Sequence, residues 1–274
     1  MYGLGTKARW VRGVALVLVC VAPAGLRAQS LPEMEVEQEG LAGKPEAGHW
    51  SGAFGAGLVS RPRYQGADTY RVRLAPLVLI RYDNLLLGPL GLEWIALHRG
   101  GFRAGPVLGY EGGRRESVDP HLYGLGDIRS SITGGVFVAY HFEPFEIAAT
   151  ARQAITHRDN GLNGFVRFEY HVQLVPRQWD LRIGTHFDFA NSVYEQTRFG
   201  VSPIQSGESG LPVFTPNGGL KDVGLRASLT YISTEHLVLR VFADVNRFTG
   251  DTTDSPIVLN RTQRFFGGGI AYQF

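Results

Sequence analysis

The chain has 274 residues, with 27 Lys and Arg residues against 25 Asp and Glu residues. This near balance of charge, with no basic run or aromatic-basic repeat, argues against a nucleic-acid-binding protein. After residue 28 no apolar run approaches the about 18 residues that indicate a membrane-spanning helix.

Residues 1–28 have the features of a cleaved secretory signal peptide. Three basic residues lie between positions 7 and 12, an apolar segment follows at 14–22, and an acceptable cleavage site ends at Ala28. The alternative is lipoprotein processing at Cys20, but Val19 stands where a small residue is expected. If the only cysteine, Cys20, is removed with the signal peptide, the mature chain has no disulfide and no thiolate metal site. Residues 1–28 also hold four basic residues and no acidic ones, which leaves 23 against 25, a formal charge of −2.

Residues 29–48 are predicted to form a flexible acidic leader in the periplasm. Glutamates occupy positions 33, 35, 37 and 39 among Gly and Pro residues. The segment is either a solvated linker or a region that folds on a partner.

From His49 onward the sequence divides into strand-length stretches in which apolar and polar residues alternate. In 164–175, for example, Val166, Phe168 and Tyr170 alternate with Arg167 and Glu169. Such alternation is typical of a transmembrane β-strand with an apolar lipid face and a polar luminal face. A soluble antiparallel sheet shows the same alternation. The alternation alone therefore does not distinguish a membrane barrel from a soluble sheet, and the features of the two chain termini are needed.

The C-terminus favours the membrane alternative. Ile270, Tyr272 and Phe274 share one face of a strand, and the chain ends on an aromatic residue. This ending resembles the signal by which the barrel-assembly machinery recognises outer-membrane barrels. Together with the signal peptide, it predicts an all-β fold over residues 49–274, a transmembrane antiparallel up-and-down β-barrel in the outer membrane of a Gram-negative bacterium.

The strand count is ambiguous, because eleven segments can be counted and a bacterial single-chain barrel has an even number. A hairpin around Gly88-Pro89-Leu90-Gly91 would divide segment 84–98 and give 12 strands, whereas an early segment that does not span would give 10. We favour 12. Pro76 is unexpected in either case, because proline is rare within a central strand.

Charged residues lie on the predicted luminal faces. Their mixed signs predict cross-strand ion pairs that fill a narrow lumen; the alternative is a charged path for small solutes. Arg71, Arg73 and Arg81 share one face, where they either attract anions or pair with carboxylates of a neighbouring strand. The candidate luminal charges are Arg71, Arg73, Arg167, Glu169, His171, Arg182, His186, Asp188, Arg226, Arg240 and Asp244.

Seven short segments, in this order and followed by Tyr272-Gln273-Phe274, resemble the MipA/OmpV family of outer-membrane proteins over the chain from about residue 49 to the end. They are 63–66 (RYQG), 112–114 (GGR), 122–128 (LYGLGDI), 199–202 (FGVS), 209–211 (SGL), 219–222 (GLKD) and 254–258 (DSPIV).

The resemblance implies a barrel without catalytic residues, and no cofactor is expected. It also implies two possible roles. One is a scaffold in the cell envelope that brings a murein lytic transglycosylase together with a murein synthase. The other is a narrow porin-like channel for small solutes. We predict the first, with outer-membrane lipid and the assembly machinery as further partners.

An enzyme is the least favoured interpretation. His157 and Asp159 lie in a predicted external loop beside Ser130 and Ser131, but no Gly-x-Ser-x-Gly elbow is present. Asp251 and Asp254 lack the dense oxygen spacing of a calcium loop and fit turn or cap positions better.

Overall fold

The structure is a computed structural model that describes residues 48–176 and 178–274. The predicted signal peptide and residues 29–47 of the predicted leader lie outside the described residues. The described chain forms one antiparallel sheet that closes into a 12-stranded barrel. The prediction of an all-β, up-and-down barrel is therefore confirmed.

Thirteen strand segments build this wall, and two of them, β4 and β5, are parts of one interrupted strand. They are β1 (Trp50–Pro62), β2 (Tyr70–Tyr82), β3 (Leu85–Gly88), β4 (Gly91–Trp94), β5 (Leu97–Arg99), β6 (Phe102–Glu111), β7 (Ser131–Phe142), β8 (Phe145–Ala154), β9 (Leu162–Val175), β10 (Trp179–Ala190), β11 (Gly219–Ile232), β12 (Leu237–Phe248) and β13 (Thr262–Gln273).

The first and last strands pair, and a short hairpin completes the wall. β1 pairs with β13 from Ala53–Gln273 to Ser60–Phe266. β3 and β4 form a hairpin in which Gly88 faces Gly91, so the turn lies where the sequence predicted it and the count of 12 strands is confirmed. Gly91 has a φ of 116°, which favours glycine.

This hairpin is short and covers only one end of its neighbour. β3 pairs with β2 at Ile80, Arg81 and Tyr82 alone. The remaining part of β2, residues 70–79, has β1 as its only strand neighbour among the described residues. The wall is therefore interrupted beside the outer half of β2.

The break between β4 and β5 has a local cause in β6. Between the pairs Glu93–Val107 and Leu97–Ala104, three residues of the interrupted strand face only two of β6, Gly105 and Pro106. Pro106 has no N–H to donate to the ladder. A bulge at this point lets the strand continue past it.

Alternation along the strands separates an apolar outer surface from a polar interior. In β12, for example, Leu239, Val241 and Val245 are exposed, whereas Asp244 and Asn246 are buried. Because successive side chains point to opposite faces, the exposed apolar residues face outward and the buried polar ones face the lumen.

The connections differ in length between the two ends of the barrel. One end has short turns, such as Asp83-Asn84 and Glu143-Pro144. The other end has longer loops, which include α1 (Ser192–Phe199), α2 (Pro203–Ser209) and four 3₁₀ helices (Glu116–Val118, Pro120–Leu122, Arg158–Asn160 and Gly250–Asp254). By the usual asymmetry of outer-membrane barrels, the short turns are periplasmic and the long loops external. Of the described helices, not one combines the length and the apolar character needed to span a membrane.

Candidate functional site in the lumen and external cap

His186 is the centre of a buried charge network on the luminal face of the second half of the barrel. Its Nδ1 lies 2.5 Å from Asp188 Oδ2, and its Nε2 lies 3.2 Å from Asp244 Oδ2. Asp222 Oδ1 is 4.0 Å from Nδ1, and Lys221 binds Asp222. His186, Asp188 and Asp222 have the geometry of a possible metal-ligand group, but Asp188 already contacts His186, and Asp222 already contacts Lys221.

Glycines allow this network to cross a strand. His186 belongs to β10 and Asp244 to β12. Gly224 of β11 lies opposite His186, and its partner on β12 is Asn246, two residues from Asp244. A Cβ on Gly224 would lie 2.1 Å from His186 Nε2. The absent side chain therefore provides the space in which the imidazole reaches Asp244.

The same arrangement recurs one strand earlier. Glu169 of β9 and Arg226 of β11 are 3.9 Å apart, and Gly184 of β10 separates them. A Cβ on Gly184 would lie 2.9 Å from Glu169 Cγ. Next to this pair, the guanidinium of Arg167 lies 4.0 Å from the centroid of the Phe165 ring, within the range of a cation–π contact.

A second group of luminal residues lies nearer the periplasmic end. His171 contacts Asp180, and Arg182 Nε lies 3.4 Å from the other carboxylate oxygen of Asp180. Arg240 Nε donates to Thr230 Oγ1 at 3.0 Å. The structure thus brings together the candidate luminal residues of β9 to β12, and Asp180, Asp222 and Lys221 are partners that the sequence did not single out.

The arginines of β2 are in a different environment. Arg71 lies directly opposite Arg61 of β1, so two cations face each other across the ladder. Arg81 is buried, Arg71 is half-buried and Arg73 is exposed, although all three have the parity of the luminal face. Among the described residues, neither Arg71 nor Arg73 forms an ion pair.

The external loops fold together into a cap with its own apolar core. Tyr64, Leu122, Val201 and Ile257 come from four different loops and are all buried in this core. Tyr64 Oη donates to the carbonyl of Ile257 at 3.1 Å. A second apolar cluster, Ala190, Tyr194, Phe199 and Phe248, joins α1 to the strand ends.

Arg198 of α1 connects the cap to the barrel wall. Its Nη2 lies 2.7 Å from Glu111 Oε1 at the end of β6 and donates to the carbonyl of Gly112 at 2.9 Å. Arg114 in turn donates to the carbonyl of Arg198 at 2.8 Å. A buried pair of this kind is costly to break from one side, because the remaining charge loses its partner.

Burial in the cap shifts the protonation of its side chains. Burial raises the pKa of Glu195, against the opposing effect of its hydrogen bond from Thr252. Burial, followed by repulsion from Arg198, lowers the pKa of Arg114 to about 10. Burial, followed by the charge of Asp119, raises the pKa of Tyr64. Each of these shifts reflects removal from water, as expected for a closed structure.

The cap also collects the segments by which the sequence resembles the MipA/OmpV family. Segments 63–66, 122–128, 199–202 and 254–258 each contribute a residue to the larger apolar core, and 209–211 packs against it. Segment 112–114 contacts Arg198, and 219–222 supplies Lys221 and Asp222 to the luminal network. The resemblance identified these segments from the sequence, but it did not predict that they lie close together in the fold.

The C-terminal residues lie at the seam between β1 and β13. Ile270, Tyr272 and Phe274 are all exposed on one face. The ring of Phe54 lies 5.5 Å from that of Tyr272 and 6.1 Å from that of Phe274. Gly52 and Phe274 exchange both backbone hydrogen bonds, at 2.9 and 3.0 Å. The last residue is therefore part of the closed wall.

The residues that suggested an enzyme do not form a nucleophile–base pair. His157 Nδ1 contacts the carbonyl oxygen of Ser130 at 2.9 Å, and the hydroxyl of Ser131 contacts Thr156. Asp251 accepts two hydrogen bonds from Asn217, and Asp254 lies 3.3 Å from Arg261. These contacts join loop residues to one another and to the adjacent end of β7.

Comparison with known protein families gives a match over most of the chain. The family model described as MltA-interacting protein MipA matches residues 54–274, which include β2 to β13 and all but the first four residues of β1. No curated protein sequence matches. Among solved structures the chain is similar to the KdgM porin, at 10% identity and a TM-score of 0.41, with 81% of this chain and 99% of the porin covered. It is also similar to the outer-membrane channel DcaP of Acinetobacter baumannii, at 9% identity and a TM-score of 0.36, with 85% and 100% covered.

Proposed function

Because this chain belongs to the MipA family of outer-membrane proteins, we propose that it is a non-enzymatic, structural barrel that holds murein enzymes at the periplasmic face of the outer membrane. The family is named for interaction with MltA, and the same kind of partner, a murein lytic transglycosylase, is proposed here. A murein synthase is the second proposed partner.

The observation that carries this proposal is the cap over the external mouth. Four loops share one buried core, and Arg198 ties that core to β6. Below the cap, the carboxylates of Asp188 and Asp244 contact the imidazole of His186, and that of Asp222 contacts Lys221. An external mouth covered in this way favours a structural role over free passage of solutes.

The periplasmic face offers little surface for a partner apart from the leader. Its described turns are short, whereas a standard interface buries about 800 Å² per partner. The acidic residues of 29–48 would add a charged segment directly before β1. We therefore assign partner capture to this segment, with the turns as a secondary contact.

A pull-down with matched leader variants tests the scaffold. The mature chain, a chain without residues 29–47 and a chain with Glu33, Glu35, Glu37 and Glu39 changed to Gln are refolded in detergent and offered to a murein lytic transglycosylase and a murein synthase. We expect capture by the mature chain only. Equal capture by all three would assign binding to the barrel, and no capture by any of them would overturn the scaffold.

One observation favours a narrow channel as the second candidate function. Arg73 is exposed although it has luminal parity, so solvent reaches the interior beside β2. Single-channel recording in a planar bilayer separates the two candidates. A silent, folded barrel supports the scaffold, and open steps whose ion selectivity changes in Arg73→Gln support the channel.

A further inference from the structure

The external half of β2 is an open strand edge at the level of the membrane. Among the described residues, 70–79 have β1 as their only strand neighbour, because the β3–β4 hairpin reaches only Ile80. Val72 and Leu74 of this stretch are 64% and 63% exposed on the outer face of the barrel. Unpaired backbone groups are costly in hydrocarbon, so an open edge at this level has to be covered by another segment or by water.

The edge presents its backbone groups as an unpaired strand does. The carbonyl of Leu79 points toward β1, since a Cβ on Gly52 would lie 2.2 Å from it. Because these groups alternate in direction along the strand, Val72 and Leu74 direct their N–H and C=O groups away from β1. Pro76 has the same parity but no N–H, so the part of the edge that can hold a further strand ends before it.

The two faces of this stretch differ in character. Arg71 and Arg73 have the parity of the luminal face, whereas Val72 and Leu74 lie on the outer face. Opposite charges on neighbouring strands attract each other, and the outer face of a membrane barrel is apolar. The strand that fits this edge therefore has acidic side chains on its luminal face and apolar ones on its outer face.

The acidic leader contains a segment with this pattern. Glutamates occupy every second position from 33 to 39, and Met34 and Val36 lie between them. Because successive side chains of a strand point to opposite faces, the glutamates would share one face of an extended segment, and Met34 and Val36 would share the other.

The leader is long enough to reach the edge. The described chain begins at the periplasmic end of β2, where the N–H of Gly48 donates to Asp83 Oδ1 at 2.7 Å and the rings of Trp50 and Tyr82 lie 4.6 Å apart. From residue 82 to residue 75, β2 rises by about 23 Å. Residues 40–48 span up to about 30 Å when extended, so residues 33–39 can lie beside 70–75.

We propose that residues 33–39 form a short strand that pairs with 70–75 of β2 and covers the open edge. The pairing is parallel, because both segments run from the external end toward the periplasm. Side chains on the same face of neighbouring strands lie side by side. The glutamates thus lie beside Arg71 and Arg73 in the lumen, and Met34 and Val36 face lipid.

This inference goes beyond the capture of murein enzymes and does not depend on it. Docking and capture use the same glutamates, so a segment that holds an enzyme is not paired with β2. Docking is measured on the barrel alone, whereas capture is measured with the enzymes. A failure of one is therefore distinguished from a failure of the other.

Cysteine pairs test where the segment lies. A chain that begins at residue 29 has no native cysteine. Val36→Cys is combined with Val72→Cys, with Leu74→Cys or with Val241→Cys, an exposed outer position of β12 that serves as the control. Each protein is refolded in detergent, and heat-modified gel mobility confirms the fold. After mild oxidation we expect a disulfide to one of the two β2 positions and none to β12.

Labelling of Val36→Cys alone with a charged maleimide measures the undocked fraction. Glu35→Gln/Glu37→Gln should raise the labelling rate about fivefold, as for the loss of two cross-strand charge pairs. Glu46→Gln, in the leader but outside the segment, should leave the rate unchanged.

A charge exchange separates pairing with β2 from a general effect of negative charge. Glu35→Arg/Glu37→Arg should label fast, and the addition of Arg71→Glu/Arg73→Glu should restore the slow rate. Cross-linking without preference for β2, or a labelling rate that is independent of these charges, would overturn the proposal.

Discussion

Glu195 is a buried carboxylate that the cap holds with only one hydrogen bond. Thr252 donates to its Oε2 at 2.8 Å, and its Oε1 has no partner among the described residues. Burial accordingly raises its pKa above the ordinary value of 4.5. A carboxyl with a raised pKa in the folded state contributes its full stability below its unfolded pKa and loses it as the pH rises through the folded pKa.

Glu195→Gln should therefore stabilise the barrel at neutral pH. The amide carbonyl can still accept from Thr252, and no charge has to be buried. We expect the variant to unfold at a higher temperature than the wild type at pH 7.5, with the difference vanishing below about pH 4.5, where the unfolded carboxyl is protonated. Unfolding is followed by heat-modified gel mobility. Glu208→Gln, an exposed position in α2, is the control, and a gain that is independent of pH would contradict this account.

The sequence predicted which side chains face the lumen, but it did not predict which of them contact each other. Period-two alternation puts His186 and Asp188 on the same face whatever the neighbouring strands are. The contact between His186 and Asp244 joins residues 58 positions apart. It depends on register and on a glycine in the intervening strand, and neither is visible in a single sequence.

Substitution of Gly224 tests whether the contact between His186 and Asp244 depends on the space that this glycine leaves in β11. An alanine Cβ would occupy the position of the imidazole of His186, so Gly224→Ala should displace the ring from Asp244. Forcing a methyl group into a packed site typically costs about 1–3 kcal/mol. Gly219→Ala, in the same strand, has nothing within 4 Å of its new Cβ and serves as the control. Urea unfolding in lipid vesicles measures both, and equal stability of the two variants would refute the glycine-spanned pair.

The environment of Pro76 explains a feature that the sequence left open. The carbonyl of Leu79 points toward β1, since a Cβ on Gly52 would lie 2.2 Å from it. Backbone polar groups alternate in direction along an antiparallel strand, so the nitrogen of Pro76 points away from β1. Within residues 48–274 as the structure describes them, that side of β2 has no strand neighbour, so no ladder bond is lost.

Pro76→Ala should consequently leave stability unchanged within about 0.5 kcal/mol, the usual range for a neutral surface change. Ala75→Pro is the matched comparison. The nitrogen of Ala75 faces β1 opposite Gly57, so a proline there removes a ladder hydrogen bond and should destabilise the barrel strongly. The same urea series compares them. A hydrogen bond contributes about 1 kcal/mol to stability. If Pro76→Ala raised the free energy of unfolding by more than this amount, the new N–H would have found an acceptor, and the free edge of β2 would have a hydrogen-bonding partner.

The number of strands could be only partly predicted from the alternation of apolar and polar residues. Long strands such as β9 and β12 were evident from their alternation, because it persists over about ten residues. The β3–β4 hairpin has four residues on each side, too few for alternation to establish, so 10 and 12 strands both remained possible. The turn residues Gly88-Pro89-Leu90-Gly91 were the only local signal for the correct count.

At the scale of the whole molecule, the barrel could be predicted and the cap could not. The barrel follows from repeated local patterns and from pairing between consecutive strands. The cap depends on contacts such as Tyr64 to Ile257, which are 193 residues apart in the sequence. Loop residues carry no periodic signal, so the sequence singled out seven segments without indicating that five of them meet in one core.

Removal of the helical loop tests whether this cap closes the barrel. A Cβ on Gly218 would lie 2.8 Å from Asn191 Cα, so a short Gly-Ser linker can replace residues 192–217 without moving β10 or β11. The loss of Arg198 and Phe199 should open the mouth, and we expect conductance steps in planar bilayers that the wild type lacks. Ile204→Ser, at a 75% exposed position of α2, leaves the core intact and should stay silent. A deletion variant with folded gel mobility but no conductance would show that the helical loop is not what closes the mouth.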